Sequence, residues 1–320
     1  MIHRYMTQVD FGKVLGDGFN AWKNNLVIIL PFLFSVLISI AIYLLAFVLI
    51  FVSMAISIQN NITPSSIPAS STNLFSNVVY SLIGNPILLI VVLIVTTIII
   101  FIISSFFSAG AIGMAKESLL KGETNLSDMI RYGKKKYVSF LGANIFVSLI
   151  VGIGFLFLLP GLIGLYNCVS GYTAGMGLDV LATTMGDSSL YSSTNYEILS
   201  VLLVLIVGLI LMAIYVVIMT FLLSLVTYSV VIDDLTAFEG IKKGVRVVLN
   251  NKLYTFLMLI FVGIISFAFG LTGSIPYVGG IISVVLAIIF VSPWSTLWYT
   301  RFYIEVTKNE HADFDKKSNI

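Results

Sequence analysis

The chain has 320 residues, of which 58% are hydrophobic and 10% charged. That is far more apolar surface than one soluble core can hide, which excludes an ordinary soluble protein and indicates an integral membrane protein. A single cysteine, Cys168, excludes an internal disulfide, and His3 and His311, at opposite ends, exclude a histidine-rich metal site. No cofactor is implied.

The first 25 residues carry Arg4, Asp10, Lys13, Asp17 and Lys23. Within them Phe11, Val14, Leu15, Gly18 and Trp22 share one helical face, and Thr7-Gln8-Val9-Asp10 offers a cap. A membrane helix needs about 20 mainly apolar residues. Six stretches meet that need: 26 to 56, 86 to 115, 138 to 166, 196 to 232, 253 to 274 and 278 to 300. The first is too long for a signal-peptide apolar region and has no cleavage site behind it, so it is expected to be retained.

The connection from Ser57 to Asn85 is rich in Ser, Asn, Thr and Pro, and Asn61-Ile62-Thr63 fits a glycosylation acceptor. After span two, "SDMIRYGKKKYVSF" introduces Lys134, Lys135 and Lys136. After span four, Phe238, Ile241, Val245 and Val248 recur at helical spacing, opposite Glu239, Lys242, Lys243, Arg246 and Asn250. Thr236-Ala237-Phe238-Glu239 carries the capping-box pattern for this amphipathic helix.

Basic residues orient the chain. With the N-terminus inside, all 17 Lys and Arg lie on the cytoplasmic side, and the 15 acidic residues divide as 12 inside and three outside. The expected fold is therefore an all-α, six-span bundle in the cytoplasmic membrane. Both termini lie inside, and amphipathic helices lie on the inner surface.

"GFNAWKNN" from Gly18 and "GVRVVLNN" from Gly244 each place Asn-Asn six residues after the glycine and just before a span. A weaker copy centres on Gly133 and Tyr137 and lacks the Asn pair. This suggests three repeats, 7–115, 125–232 and 236–303, each an inner helix followed by two spans, with 304–320 as a polar tail. Convergent amphipathic joins give the same pattern without duplication.

No Asp, Glu, Lys, Arg or His lies at the centre of a span. Intramembrane ionisable groups usually mark proton relays and catalytic centres, so a pump built on a buried carboxylate and an intramembrane metalloprotease are both disfavoured. Ser104, Ser105, Ser148, Ser224 and Ser266 read as packing residues rather than nucleophiles. Pro160 and Pro293 are candidate helix breaks, with Pro293 the better kink, and Asn144 is the most polar side chain of span three. Lys134, Lys135, Lys136, Lys242, Lys243 and Arg246 are candidates for contact with lipid headgroups or a partner, although positive-inside topology accounts for the same charges.

"LGDGFNAWKNNLVIILPFL", "AFEGIKKGVRVVLNNKLYTFL" and "PWSTLWYTRFYIE" resemble uncharacterised six-span membrane proteins of archaea and bacteria. These are similar to the membrane domain attached to some glycerophosphodiester phosphodiesterases. The resemblance implies a fold and no catalytic residues, because the phosphodiesterase catalytic domain has no counterpart here. Two functional readings stay open. One is a non-enzymatic scaffold whose inner helices meet membrane lipids, a protein partner or a second copy. The other is a transporter or channel for a small uncharged or lipid-like solute. No nucleic-acid partner is expected.

Overall fold

The computed structural model describes residues 9–61, 86–167 and 190–318, and among them finds helices and no strand. Six helices are long and apolar enough to cross a membrane: Leu26–Ser53, Ile90–Lys121, Leu126–Asn167, Leu199–Ile232, Lys252–Ser274 and Gly279–Lys308. The six expected spans are thus present. Residues 62–85 and 168–189, which hold most of the first two expected outer loops, lie outside the described residues, as does the side chain of Asn61.

Helix α1 (Phe11–Asn24) starts at Asp10, whose carboxylate accepts from the Lys13 N–H at 3.0 Å. The N-cap is therefore Asp10, not Thr7, because the helix begins one turn later than the Thr7 pattern suggested. A 3₁₀ turn (Leu26–Ile29) leads into α2 (Leu30–Asn61), which runs five residues into the stretch expected to be loop. Then come α3 (Pro86–Lys121) and α4 (Leu126–Gly152). Helix α4 is unbroken from a capping box, Asn125 with Asp128, through the expected inner helix and into the span. The second unit lacks the Asn-Asn pair, and nothing interrupts its helix there.

A 3₁₀ segment (Ile153–Leu158) continues as helix over 159–167. Next are α5 (Leu190–Leu223), α6 (Val226–Ile232), α7 (Ala237–Asn250) and α8 (Lys252–Gly270). Helix α9 (Gly279–Leu286) passes through a π turn (Ala287–Val291) into α10 (Ser292–Ser318). The last helix absorbs most of the stretch expected to be a polar tail.

Three prolines follow this pattern closely. Pro31 and Pro160 stand just after 3₁₀ segments, and Pro293 stands just after the π turn. Each therefore occupies a first helical turn, where a missing N–H costs little. Pro293 leaves the carbonyl four residues back, Ile289, without its helical donor, and the Trp22 indole N–H donates to it at 3.1 Å. The break in the last span is filled by α1.

The buried core lies at one end of the bundle, where Val14, Ile112, Phe140, Val226, Val247, Phe302 and Tyr303 pack together. This is also the end that carries the ion pairs, and it is called the charged end below. Here the three glycines of the repeated pattern mark close approaches. A Cβ on Gly18 would stand 2.4 Å from Trp298 of α10, one on Gly133 2.8 Å from Phe106 of α3, and one on Gly244 2.7 Å from the Val226 backbone of α6. Gly18 thus meets the sixth span, Gly133 the second and Gly244 the fourth.

Helix α7 buries Gly240, Gly244, Val247 and Val248, with Ile241 and Val245 at the edge of that face. Phe238, expected on the same face, is 72% exposed. The face is rotated because the two glycines permit backbone contact with α6, which larger apolar residues would prevent.

Toward the far end the helices separate into three two-helix hairpins. In α2, every residue from Tyr43 to Leu49 except Ala46 is more than half exposed, and among the described residues α3 is the main helix packed against α2. The second hairpin closes on itself through glycines: a Cβ on Gly208 would stand 2.4 Å from the Phe157 carbonyl, and one on Gly161 2.6 Å from Leu205. The third is held by stacking of Phe269 on Phe290, ring centres 5.9 Å apart.

Candidate functional site

Between the hairpins, just inside the charged end, is a half-open cavity of ≈ 280 Å³. Five elements build its wall. Helix α3 supplies Ser108, Ala111 and Ile112, α4 supplies Phe140 and Asn144, and α6 supplies Thr227 and Tyr228. Phe32 of α2 and Thr296 of α10 complete it. All three hairpins thus contribute, and no charged side chain does. Helix geometry places Asn144 about 12 Å along the axis from Lys136, and Ser108 the same distance from Lys116, which sets the cavity about two helical turns in from these lysines.

The polar groups of this wall are neutral. The Asn144 amide donates to Ser105 Oγ at 3.4 Å, and the Tyr228 and Thr296 hydroxyls line the same wall. An amide has four hydrogen-bonding positions and a hydroxyl three, so most of the capacity of Asn144, Ser108 and Thr227 stays available to a guest. Asn144 was legible in the sequence as the polar residue of its span. Ser108, Thr227, Tyr228 and Thr296 were not, because hydroxyls are common in membrane helices and only the fold brings these four together.

Beneath the cavity the charged end is tied shut. Lys136, almost fully buried, pairs with Asp234, which also accepts from Lys135 at 2.8 Å. Asp233 accepts from Lys243 at 2.7 Å and from the Tyr303 hydroxyl, while Lys116 donates to the Ile232 carbonyl at 2.7 Å. The two lysines hold the Asp234 carboxyl down to about 2, against an ordinary value near 4. Asp234 has φ 61°, a left-handed conformation that Asp tolerates better than most residues. The turn between α6 and α7 is thereby aimed at α4.

Asn25 makes a second tie. Its amide donates to Ala21 O at 3.1 Å and to Gly122 O at 3.0 Å, and its oxygen accepts from Thr124 N–H at 3.1 Å. It thus ends α1 and holds the turn between α3 and α4. Asn251 makes the corresponding donation to Val247 O at 3.1 Å. Beside Asn25, a recess of ≈ 340 Å³ is lined by Asp17, Asn20, Asn24, Ser118 and Arg301. Arg301 is committed there to Asp17 at 2.8 Å and Glu305 at 2.9 Å.

The six basic residues singled out from the sequence therefore fall into two sets. Lys135, Lys136 and Lys243 belong to internal ion pairs, whereas Lys134, Lys242 and Arg246 are exposed and make no ion pair among the described residues. Pro160 is exposed and far from the cavity, while Pro293 is buried one turn before Thr296. No group of three or more His, Cys, Asp or Glu that could hold a metal ion occurs among the described residues.

Six membrane-length helices around a shared core are the architecture of a multi-pass membrane protein. Residues 66–297 match the family described as Domain of unknown function (DUF7847), and the chain belongs to that family. An uncharacterised protein of Archaeoglobus fulgidus is 23% identical over 304 residues, covering 91% of this chain and 93% of that protein. No solved structure matches. The archaeal part of the resemblance read from the sequence is thus carried by a relative. Neither comparison carries the likeness to the phosphodiesterase membrane domain.

Proposed function

We propose that this protein is a non-enzymatic membrane protein that receives a small uncharged or lipid-like solute, as a carrier or channel would. The charged end faces the cytoplasm, as the basic residues direct. The observation that carries this reading is the neutral, hydrogen-bonding cavity at the junction of the three hairpins. A charged guest would lose its hydration there without a counter-charge, at a cost of several kcal/mol. The wall offers hydroxyls and an amide but no carboxylate, imidazole or amine to act as a base, which favours binding over chemistry. The contacts of Gly18, Gly133 and Gly244 with the sixth, second and fourth spans support a three-unit origin.

The test is Ser108→Cys in a Cys168→Ser background. Thiol modification needs thiolate, and hence water, at the site. The uncharged reagent methyl methanethiosulfonate is expected to label Cys at this position, the sulfonated analogue at least tenfold more slowly, and soluble monobutyrin to slow labelling at least threefold. A position unreactive to both reagents would refute the cavity as a receiving site.

Exposed Lys134, Lys242 and Arg246 favour a second reading, in which the charged end binds anionic lipid or a partner as a scaffold. Replacing all three with Gln should then weaken sedimentation with phosphatidylglycerol vesicles or recovery of a co-purifying partner by tenfold or more. Unchanged recovery of both leaves these residues with topology alone.

A further inference from the structure

We infer that the guest is an amphiphile: an uncharged hydroxyl- or carbonyl-bearing head sits in the cavity, and its apolar tail runs between the separated hairpins toward the far end. This inference rests on the cavity reading above and names the chemical class of its ligand. Three observations carry it. The first is the wall itself, whose polar groups are Asn144, Ser108, Thr227, Tyr228 and Thr296, with no ionic group to meet a phosphate or ammonium.

The second is direction. On the charged side, about one helical turn beyond the lining residues Ala111, Phe140 and Thr227, stand the buried Ala115, Lys136 and Val230 and the lysine–aspartate ties. On the other side, α4 presents Asn144, then Ser148, then Gly152 at four-residue steps on one face. Ser148 is exposed, and a Cβ on Gly152 would meet nothing within 4 Å. A line of small residues thus runs along α4 from Asn144 toward the far end.

The third is what flanks that line. The far halves of the hairpins expose aliphatic side chains over most of their surface, including Ile145, Leu149 and Ile153 of the same segment. A water-soluble solute would have to travel past these groups without partners, whereas an acyl or prenyl chain is at home among them. Head and tail chemistry therefore point to the same kind of molecule, of which a monoacylglycerol is the simplest representative.

The experiment uses the full chain in phosphatidylcholine nanodiscs and a monoacylglycerol with a photoreactive diazirine at mid-chain. Illumination should give saturable labelling of the peptide that contains Ser148. Excess mono-olein should compete, and the same amount of dioleoylphosphatidylglycerol should not. Ser148→Trp, which adds bulk on that line at an exposed position and leaves the core intact, should lower labelling about tenfold. Thr296→Val and Asn144→Leu, each removing a head contact, should do the same. Equal competition by phosphatidylglycerol, or labelling unchanged in Ser148→Trp, overturns the inference. If the peptide is not labelled but monobutyrin still protects Cys at position 108, the amphiphile fails and the cavity reading stands. If protection is lost as well, both fail.

Discussion

Gly244→Ala is expected to lower stability by about 2–3 kcal/mol, the cost of overpacking a filled core, read as a fall in the thermal midpoint of the purified protein. The added methyl would stand 2.7 Å from Val226 Cα, 2.8 Å from its nitrogen and 3.1 Å from the Leu225 carbonyl carbon. All three are backbone atoms, so no side-chain rotation relieves the clash and α7 must move away from α6. That motion also pulls Lys243 from Asp233, which are 2.7 Å apart. Gly18→Ala meets a side chain instead, at 2.4 Å from Trp298 Cδ1, but the Trp298 indole is itself held by the Leu15 carbonyl at 3.1 Å and cannot simply turn. Gly16→Ala is the control. Nothing lies within 4 Å of its Cβ position in α1, so removal of a helical glycine should stabilise by about 0.5–1 kcal/mol. Equal midpoints for Gly244→Ala and Gly16→Ala would refute the close approach.

These glycines also show what the chain made legible. Their spacing could be read in the sequence together with the Asn pair, because a close contact at Gly18 or Gly244 and a helix end at Asn25 or Asn251 each demand a particular residue type. The six spans were legible for an equally local reason, since crossing apolar lipid requires length and composition and little else. Helix phase was not. Phe238 looked like part of a buried face, yet its helix turns Gly240 and Gly244 inward, because packing favours the close backbone contact over the larger side chain. The continuity of α4 could be seen only as a missing Asn pair.

The site was less visible than the fold. Asn144 stood out for its polarity, but its cavity depends on Ser108, Thr227, Tyr228 and Thr296 from three other helices, and helical spacing within one span carries no information about its neighbour. Pro293 was legible as a break, and its consequence was not. The carbonyl it leaves unpartnered is met by Trp22, 267 positions away in the chain. A proline that might have opened a polar ligand site is therefore satisfied internally, and the hydrogen-bonding capacity in this region lies one turn on, at Thr296.

Asp233 and Asp234 carried no motif in the sequence, yet substitution at Asp234 should have the second large effect. Asp234→Asn keeps the side-chain shape and the tolerance for φ 61° while removing the charge that faces Lys136. Lys136 is 7% exposed, and a buried cation left without its carboxylate costs several kcal/mol in full burial. Because the Asp234 side chain is 53% exposed, solvent screens part of that loss, and about 2–3 kcal/mol is expected at neutral pH. Lys135→Ala, which removes the exposed lysine of the pair, should cost under about 1 kcal/mol. The pH dependence follows from the sign of the shift. The folded carboxyl titrates near 2 and the unfolded one near 4, so the stabilisation is complete above about pH 4 and is lost as the pH falls toward 2. The gap in thermal midpoint between the wild type and Asp234→Asn should therefore be wide at pH 7 and narrow steadily below pH 4. A gap of constant width from pH 7 to pH 3 would show that the turn, and not its charge, is what Asp234 supplies.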